Sequence, residues 1–226
     1  MNFDKLVLQR VRAVLIPLSD SSRAVAQGNY MKNIAPFLGI TTPDRRAAAK
    51  PVLKDLPQPT SDELGQAARL LFAQEHREFA YVACQLLHRF REVADKNFLR
   101  NHVEDLLITK SWWDTVDGLG SDAVSPLSAK YASRSLMLAW NKSPNIWLNR
   151  AAIQHQRGRR QKTDVDFVLD LSKAHVDSRE FFIVKAIGWG LRDIAAFNKP
   201  AVRDFLVDHP QLGRVAVVEA NRGLNR

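Results

Sequence analysis

The chain has 226 residues, which is enough for one large domain or two small ones with a sizeable hydrophobic core. Its 33 Lys and Arg outnumber its 24 Asp and Glu, giving a net charge of +9, and 46% hydrophobic residues exclude a disordered chain. Cys84 is the only cysteine, which excludes an internal disulfide framework and a multi-cysteine zinc site.

The first twenty residues contain a short apolar run that Lys5, Arg10 and Arg12 interrupt at helical spacing. Because no small-residue cleavage site follows, we do not expect a secretory signal. No later run reaches the roughly 18–20 apolar residues that a membrane span needs, so we expect a cytoplasmic protein without a membrane segment. A positive excess on such a protein favours a polyanionic partner, although charge alone leaves open a basic surface with no specific ligand.

Helix-start signals follow one another along the chain, whereas alternating β-branched strand patterns are almost absent. The signals lie at Thr42-Pro43-Asp44, at Thr60 with Glu63, at Ser143-Pro144, at Thr163-Asp164 and at Ser178. Breaks are predicted at residues 20–22, 57–59, 118–120, 158 and 199–200, where Gly, Pro, Asp or Ser accumulate. The pattern predicts an all-α fold of about a dozen helices.

Three segments resemble helix pairs of about 30–40 residues, the period that is typical of HEAT-like repeats. They span residues 98–140, 144–176 and 178–209. We therefore expect HEAT-like helical repeats stacked into a curved solenoid, whose concave face could hold a rod-like ligand. A compact helix bundle is the alternative. No linker divides the chain, so residues 1–226 are expected to form a single domain.

The first of three unusual patches is TKSWWDTVD at residues 109–117. A helix from Ser111 would place Trp113 and Asp117 four residues apart on one face. Trp112 would then be available to the core, and Asp114 is typical of a first helical turn. Adjacent tryptophans are commonly structural, so this patch by itself is compatible with packing or with function.

The second patch, NIWLNRAAI at residues 145–153, sets Arg150 among small and apolar neighbours. Arg157 follows seven residues later on the same helical face and begins the basic run RGRRQK. Such a run is commonly solvated or matched to the negative end of a helix dipole. Against a polyphosphate it would instead hold the backbone.

The third patch places Lys185, Trp189 and Arg192 on one stripe of a predicted helix. A Trp between two cations is unusual for a core face and suits a nucleic acid, whose phosphates and bases would meet the cations and the indole. Gly188 and Gly190 flank the Trp and would let a ligand approach the helix closely.

Other chemistry finds little support in the sequence. The six histidines lack HExxH or paired-ligand spacing, so no metal site is expected. No GxGxxG motif and no phosphate-binding Gly-Lys-Ser/Thr loop is present, so no nucleotide cofactor is expected. Cys84 lies in the apolar stretch FAYVACQLLHRF and is predicted to belong to the core.

Taken together, the strings TKSWWDTVD, NIWLNRAAI and EFFIVKAIGWGLRD, with NYMKNIAPFLGITTPDRR nearer the N-terminus, closely resemble the bacterial AlkD-type DNA alkylation repair glycosylases. The resemblance runs in order from about Tyr30 to about Pro210. It implies HEAT-like repeats that form a concave, positively charged cradle for DNA. It also implies hydrolysis of the N-glycosidic bond of N3- and N7-alkylated purines in duplex DNA, such as 7-methylguanine and 3-methyladenine.

The resemblance implies further that the reaction leaves an abasic site, that it uses neither metal nor cofactor, and that the base stays in the stack. We expect a bacterial cytoplasmic monomer that associates with the nucleoid when it is bound to DNA. Its partner would be double-stranded DNA that contains alkylated bases.

Carried over by motif, the resemblance points to Trp113, Asp117 and Trp189 as catalytic residues, with Arg150 contacting the DNA backbone near the lesion. The other residues assigned to DNA are Tyr30, Thr42, Arg45 and Arg46 from the family motifs, Lys185 and Arg192 from the helix stripe, and Arg157, Arg159 and Arg160 from the basic run. These cations are expected to line one concave surface, with Asp117 as the single acid among them.

Two other functions are weighed against this one. A non-catalytic helical-repeat protein that binds branched or distorted DNA would need only part of the catalytic set, whereas every part is present here. A scaffold for other proteins would present an apolar or mixed face, and Trp, Arg and Lys on that face argue against it.

Overall fold

A computed structural model describes residues 2–226, and throughout this range the chain is helical, without β-strands. The all-α prediction is confirmed. In chain order the helices are α1 (Phe3–Leu15), α2 (Ser21–Tyr30), α3 (Thr42–Lys54), α4 (Ser61–Phe72), α5 (Arg77–Phe90), α6 (Glu104–Ile108), α7 (Trp113–Leu119), α8 (Ser125–Lys130), α9 (Arg134–Asn141), α10 (Ile146–Gln154), α11 (Val165–Lys173), α12 (Phe181–Ala195), α13 (Lys199–Asp208) and α14 (Arg214–Leu224). Among the described residues no helix is both long and apolar enough to span a membrane.

The helices group into two compact units, the first ending at Ala123 and the second running from Val124 to Arg226. The single-domain interpretation stays a prediction. In the second unit, residues 144–176 contain the pair α10 and α11, and residues 178–209 contain the pair α12 and α13, as the period predicts. Residues 98–140 instead contain the four short helices α6 to α9.

Several helices begin one to three residues from the predicted position. The Thr60–Glu63 capping box and the Asp164 cap are confirmed, whereas Thr41 caps α3 in place of Thr42. Asn145 caps α10 and Glu180 caps α12, in place of Ser143 and Ser178. Each of these serines accepts a hydrogen bond from the backbone N–H of the true cap residue, so it forms the turn before the helix.

Helix α7 begins at Trp113 rather than Ser111, and no break follows at residues 118–120. The segment Gly120–Val124 continues as a π-helical turn. Gly118 faces the buried Cys84, and a Cβ added there would lie 3.1 Å from the Cys84 sulfur. This glycine therefore serves close packing of α7 on α5 instead of ending the helix.

The core of the first unit forms around α5, which packs against α3, α4 and α7, while α1 packs on α3 and α4. Helix α1 follows the helical period closely, since Phe3, Val7, Val11 and Leu15 form its buried face. Glu78 of α5 is buried, and its carboxylate accepts hydrogen bonds from the backbone N–H groups of residues 38–40. This contact holds the loop that leads into α3.

The core of the second unit forms around α12, whose buried face includes Ile183, Ile187, Leu191 and Ile194. Helix α14 packs along α12 at very short range. A Cβ on Gly188 would lie 2.8 Å from the Cα of Ala216, and one on Gly223 would lie 2.8 Å from the Cβ of Ala195. The segment that approaches α12 at Gly188 is therefore α14 of the same chain, which corrects the prediction of a ligand there.

Candidate nucleic-acid interface

The first unit contains an open cavity of about 570 Å³, here called the aromatic cavity because Tyr30, Phe37, Tyr81 and Trp113 form part of its wall. Four helices contribute to it, namely α2, α3, α5 and α7. Five of the residues selected from the sequence line it, and these are Tyr30, Thr42, Arg45, Arg46 and Trp113. The fold therefore brings together residues that lie up to 83 positions apart in the sequence.

Arg45 and Arg46 occupy different environments although they are neighbours in the sequence. Arg45 is only 7% exposed, and its guanidinium carbon lies 4.5 Å from the centroid of the Tyr81 ring. Burial lowers the pKa of Arg45. Arg46 and Thr42 are exposed, and Tyr30 is 73% exposed. Arg45 thus belongs to the cavity wall, and Arg46 is the cation available at its rim.

A buried ion pair sets the position of Trp113. Arg77 of α5 is 2% exposed, and its guanidinium donates to both carboxylate oxygens of Asp114, at 3.0 and 2.6 Å. The Tyr81 hydroxyl donates to Asp114 at 2.5 Å, and burial together with this carboxylate raises the pKa of Tyr81. Asp114 is therefore a buried partner of Arg77, which goes beyond the first-turn role predicted for it.

Asp117 lies one turn after Trp113 on α7, and both side chains are half-buried. The predicted spacing of four residues is thus realised within one helix. Because the ion pair with Arg77 holds the first turn of α7, it also orients the turn that carries Asp117. Trp112 is half-buried as well and lies at the cap position, outside the helix.

A basic groove adjoins the aromatic cavity and shares Arg46, Gln85 and Asp122 with it. Lys50 and Lys54 follow Arg46 at four-residue intervals on α3, so the three cations lie along one helical face. Arg89 and His88 line the same groove, and the His88 ring lies 3.3 Å from the Asp122 carboxylate. Burial raises the pKa of Asp122, while His88 opposes the rise. We call this surface the α3 groove.

Sequence reasoning did not select three basic residues of this groove as candidate DNA-binding residues, namely Lys50, Lys54 and Arg89. The signal that could have found them is the spacing 46, 50, 54 on a helix whose other positions are mostly alanine or apolar.

In the second unit, Trp189 is surrounded by cations. The centroid of its ring lies 4.6 Å from the guanidinium carbon of Arg157, 5.2 Å from that of Arg150 and 5.9 Å from that of Arg192. The Lys185 ammonium lies at 5.7 Å. The stripe predicted on α12 is therefore real, and α10 and the loop after it add two further cations. These contacts are within the range of cation–π attraction.

Glu219 of α14 pairs with the cations on α12. Glu219 is 2% exposed, and its carboxylate accepts hydrogen bonds at 2.6 Å from Lys185, 2.6 Å from Arg192 and 2.9 Å from Arg222. Burial alone would raise the pKa of Glu219, but the Lys185 hydrogen bond and charge, together with Arg192 and Arg222, hold it below its ordinary value. Sequence reasoning missed this residue, because nothing in α14 indicates which helix it packs on.

Arg150, Arg157 and Arg159 make contacts inside the second unit. Arg150 is 1% exposed and donates to the carbonyl oxygen of Phe182 at 2.6 Å. Arg159 donates to the Ser125 carbonyl at 2.7 Å and to the Ser128 hydroxyl at 2.6 Å, and burial lowers its pKa. Arg157 lies 3.6 Å from Asp193.

Arg160 is exposed and, with Arg157, Arg192 and Arg226, lines a cavity of about 470 Å³.

The expectation that Asp117 would be the single acid among the cations is wrong. Glu219 binds Lys185 and Arg192, Asp193 approaches Arg157, and Asp122 borders the α3 groove. Clustered cations repel one another in a folded state, and interspersed carboxylates relieve that repulsion. Acidic residues therefore belong to these basic surfaces as their structural counter-charges.

The fold is helical, and an indole ring lies among guanidinium and ammonium groups. These features are typical of basic helical proteins that bind a nucleic-acid backbone. Over residues 11–224 the sequence matches the family model of the DNA alkylation repair enzymes. The chain belongs to this family.

A solved structure described as a predicted DNA alkylation repair enzyme from Enterococcus faecalis is similar to this chain. The two share 26% sequence identity and superpose with a TM-score of 0.76, over 90% of this chain and 95% of that one. No curated protein sequence is significantly similar to this chain.

Proposed function

We propose that the protein is a monofunctional DNA glycosylase that hydrolyses the N-glycosidic bond of cationic N3- and N7-alkylated purines in duplex DNA. The observation that carries the proposal is the pair Trp113 and Asp117 on α7, held by the buried Arg77–Asp114 ion pair in a member of the DNA alkylation repair family. A carboxylate one turn from an indole provides the two groups that a developing sugar cation needs.

The chemistry explains why so few groups suffice. Glycoside hydrolysis passes through an oxocarbenium-like transition state, and ordinary glycosidases supply an acid to protonate the leaving group. An N3- or N7-alkylated purine already carries a positive charge, so it leaves as a neutral base without that acid. What remains is to stabilise the positive charge that develops on the deoxyribose.

We assign the sugar cation to Trp113 and Asp117, and we keep Trp189 as a proposed catalytic residue on the family motif alone. An indole face attracts a cation through its ring quadrupole, and a carboxylate stabilises the same charge electrostatically. The bond between C1′ and the base nitrogen breaks with its electron pair on the base. Water then adds to C1′ and loses a proton to Asp117, leaving a free alkylpurine and an abasic site. We propose that the lesion base stays in its stack throughout this reaction.

The cations at the rim of the aromatic cavity and around Trp189 are proposed to bind phosphates. Arg46, Lys50 and Lys54 are exposed and follow one helical face, which suits contacts to consecutive phosphates. Arg150 and Arg45 are too buried to act as freely moving phosphate ligands, so we assign them to positioning the Trp189 and Tyr81 rings.

The test is release of free base from duplex DNA that contains 7-methylguanine. Wild type is expected to release it, and Asp117→Asn is expected to slow release by about 10²–10⁴-fold while still binding DNA. Asp166→Asn, an exposed acid in the first turn of α11, is the matched control and should leave the rate unchanged.

Two outcomes would overturn the proposal. Release of the free base by Asp117→Asn at the wild-type rate would contradict the role proposed for the Asp117 carboxylate. Tight binding of DNA by wild type without any base release would favour a non-catalytic protein that binds branched or distorted DNA, and its affinity for a four-way junction would then be compared with that for a duplex.

A further inference from the structure

The basic loop between α10 and α11 contains two residues with a left-handed backbone, Gly158 and Arg160, whose φ angles are 82° and 53°. The loop is held in place, because the Oε1 of Gln156 accepts a hydrogen bond from the backbone N–H of Asp164 at 2.8 Å. A side chain as large as arginine is disfavoured at positive φ, and such backbones are concentrated at functional sites. Within residues 2–226 the Arg160 guanidinium makes neither a hydrogen bond nor an ion pair, so no internal contact explains its conformation.

Arg160 lines the cavity of about 470 Å³ in the second unit, which we call the arginine cavity. Among the residues that the structure describes, its lining contains four arginines and a single acid, Asp193. The arginines are Arg157, Arg160, Arg192 and Arg226. Like charges repel one another at close range, so an anion that enters such a cluster is attracted by all of its members. The positive charge of the lining therefore exceeds its own counter-charge.

Contacts outside the cavity hold two of these arginines in position. The guanidinium carbons of Arg157 and Arg192 lie 4.6 and 5.9 Å from the centroid of the Trp189 ring, so both groups lie beside the same indole. Arg157 also donates to the Oε1 of Gln154 at 3.3 Å, and Arg192 donates to the Glu219 carboxylate at 2.6 Å. Each guanidinium has five N–H donors in a rigid fork, so donors remain for a ligand after these contacts are made.

Part of the wall of the arginine cavity is apolar. Ile153, Val168 and Ile194 line it from the hydrophobic core, and the half-buried Phe197 adds an aromatic ring. The volume of about 470 Å³ lies in the usual range for small-molecule sites of about 300–1,000 Å³, so an inorganic anion alone would fill only part of it. Arginine binds phosphate through paired N–H donors, and aromatic rings stack on nucleobases. The lining therefore suits a ligand with a phosphate at one end and a base at the other.

We propose that the arginine cavity binds the phosphate monoester of a nucleotide. A monoester has a second pKa of about 6 and is largely a dianion at neutral pH, whereas each internal phosphate of DNA carries one negative charge. The excess of arginines therefore favours the monoester. Two sources present this group, a free nucleotide and the phosphorylated end of a DNA strand. The inference goes beyond the proposed glycosylase reaction, which acts on a nucleotide inside a duplex.

Titration calorimetry of the full chain with thymidine 5′-monophosphate tests the proposal without any bond cleavage. The nucleotide is expected to bind with a dissociation constant of about 1 mM or below. Thymidine lacks the phosphate, and its 5′-methylphosphate is a singly charged diester, so each should bind about tenfold more weakly. A duplex with a 5′-phosphate that binds more tightly than the same duplex with a 5′-hydroxyl would assign the site to DNA ends, and equal affinities would assign it to free nucleotides.

Arg160→Asn removes the guanidinium, and asparagine tolerates a positive φ, so the loop is expected to keep its conformation. This variant should bind the nucleotide about tenfold more weakly, while its Tm stays at or above that of wild type. An arginine with only a structural role would instead lower the Tm when it is replaced. Arg203→Gln removes the same charge at an exposed position of α13 outside the cavity lining, and it should keep the wild-type affinity.

No measurable binding of thymidine 5′-monophosphate by wild type would overturn the proposal. Equal affinity for the nucleotide and for either thymidine or the methyl diester would also overturn it, as would unchanged nucleotide affinity in Arg160→Asn. None of these measurements uses alkylated DNA, so the glycosylase proposal stands or fails separately through the release of 7-methylguanine.

Discussion

The pKa of His155 is set by the residues that surround this side chain in the second unit. Its Nδ1–H donates to the Ala152 carbonyl at 2.7 Å, and its ring meets Phe167 edge to face at a centroid distance of 5.3 Å. Burial lowers the pKa of His155 to about 4, with the Ala152 hydrogen bond opposing. Burial also lowers the pKa values of His102 and His175. These three histidines are therefore neutral in the folded protein at neutral pH.

This burial predicts a loss of stability on mild acidification. Below a pH of about 6.5 the unfolded chain binds a proton at His155 that the folded chain excludes until about pH 4, so the free energy of unfolding falls as the pH decreases. Between pH 7.5 and pH 5 His155 alone should account for roughly 2 kcal/mol. Glu219 has a lowered pKa and an ordinary value of 4.5, so its contribution is lost only at lower pH.

Urea denaturation of wild type and His155→Gln at the two pH values measures this effect. Between pH 7.5 and pH 5 the free energy of unfolding should change less in the variant than in wild type, whatever the absolute stability of the variant. His76→Gln, whose ring makes no capping hydrogen bond, should show the wild-type difference. Equal differences in wild type and His155→Gln would contradict the prediction.

Glu219 is the second residue for which the structure predicts a large effect. Replacing Glu219 by Gln removes the counter-charge of Lys185, Arg192 and Arg222 and leaves cations uncompensated beside Trp189. Glu219 is buried, but its partners Lys185 and Arg192 are 26% exposed and Arg222 is 61% exposed, so water compensates part of the loss. The free energy of unfolding should therefore fall by about 1–3 kcal/mol. The exposed Glu75→Gln should change it little. A Glu219→Gln protein as stable as wild type would show that the carboxylate is dispensable.

At the scale of elements, helix α12 carries two glycines with opposite roles. A Cβ on Gly188 would lie 2.8 Å from the backbone of Ala216, whereas one on Gly190 would make an ordinary contact of 3.6 Å with Val168. The sequence suggested a single purpose for both, because a helical pattern shows where a glycine lies but not which helix packs beside it.

The two glycines therefore predict substitutions of opposite sign. Gly188→Ala should destabilise the protein by about 1–3 kcal/mol, since α14 must move away. Gly190→Ala should stabilise it by up to about 1 kcal/mol, because alanine favours the helix and fits the space. Thermal unfolding followed by circular dichroism measures both. Equal effects of the two substitutions would contradict the close packing of α14 at Gly188.

Helix boundaries were predicted to within one to three residues where a cap residue was visible. Thr60 with Glu63 and Asp164 were assigned correctly, because the cap and its backbone partner lie within three residues of each other. Ser143 and Ser178 were assigned wrongly, because Asn145 and Glu180 compete for the same role and the choice depends on how the following helix packs.

At the scale of the whole molecule, the net charge of +9 is unevenly available for binding. Lys185, Arg192 and Arg157 lie beside carboxylates, whereas Arg46, Lys50 and Lys54 follow one exposed face of α3. Affinity for DNA and its dependence on salt should therefore rest more on the α3 groove than on the cations around Trp189.

The double variant Lys50→Gln/Lys54→Gln tests this distribution. If both lysines contact phosphates, the slope of the logarithm of the binding constant against that of the salt concentration should become shallower by about two. Lys5→Gln/Lys96→Gln makes the same change in net charge at exposed positions outside the α3 groove, and its slope should stay near that of wild type. Identical slopes for the two double variants would show that net charge alone decides the affinity.

The sequence by itself determined the all-α class, the helix starts at Thr60 and Asp164, the family and the identity of the unusual residues, because these depend on local periodicity, capping and motif order. Only the tertiary structure decided which cations pair with carboxylates and which buried polar atoms have no hydrogen-bond partner. Arg45 and Arg46 are adjacent in the sequence, yet one is stacked on Tyr81 inside a cavity and the other is exposed. Burial and pairing depend on contacts between helices distant in sequence, such as Glu219 with Lys185, and no local pattern encodes them.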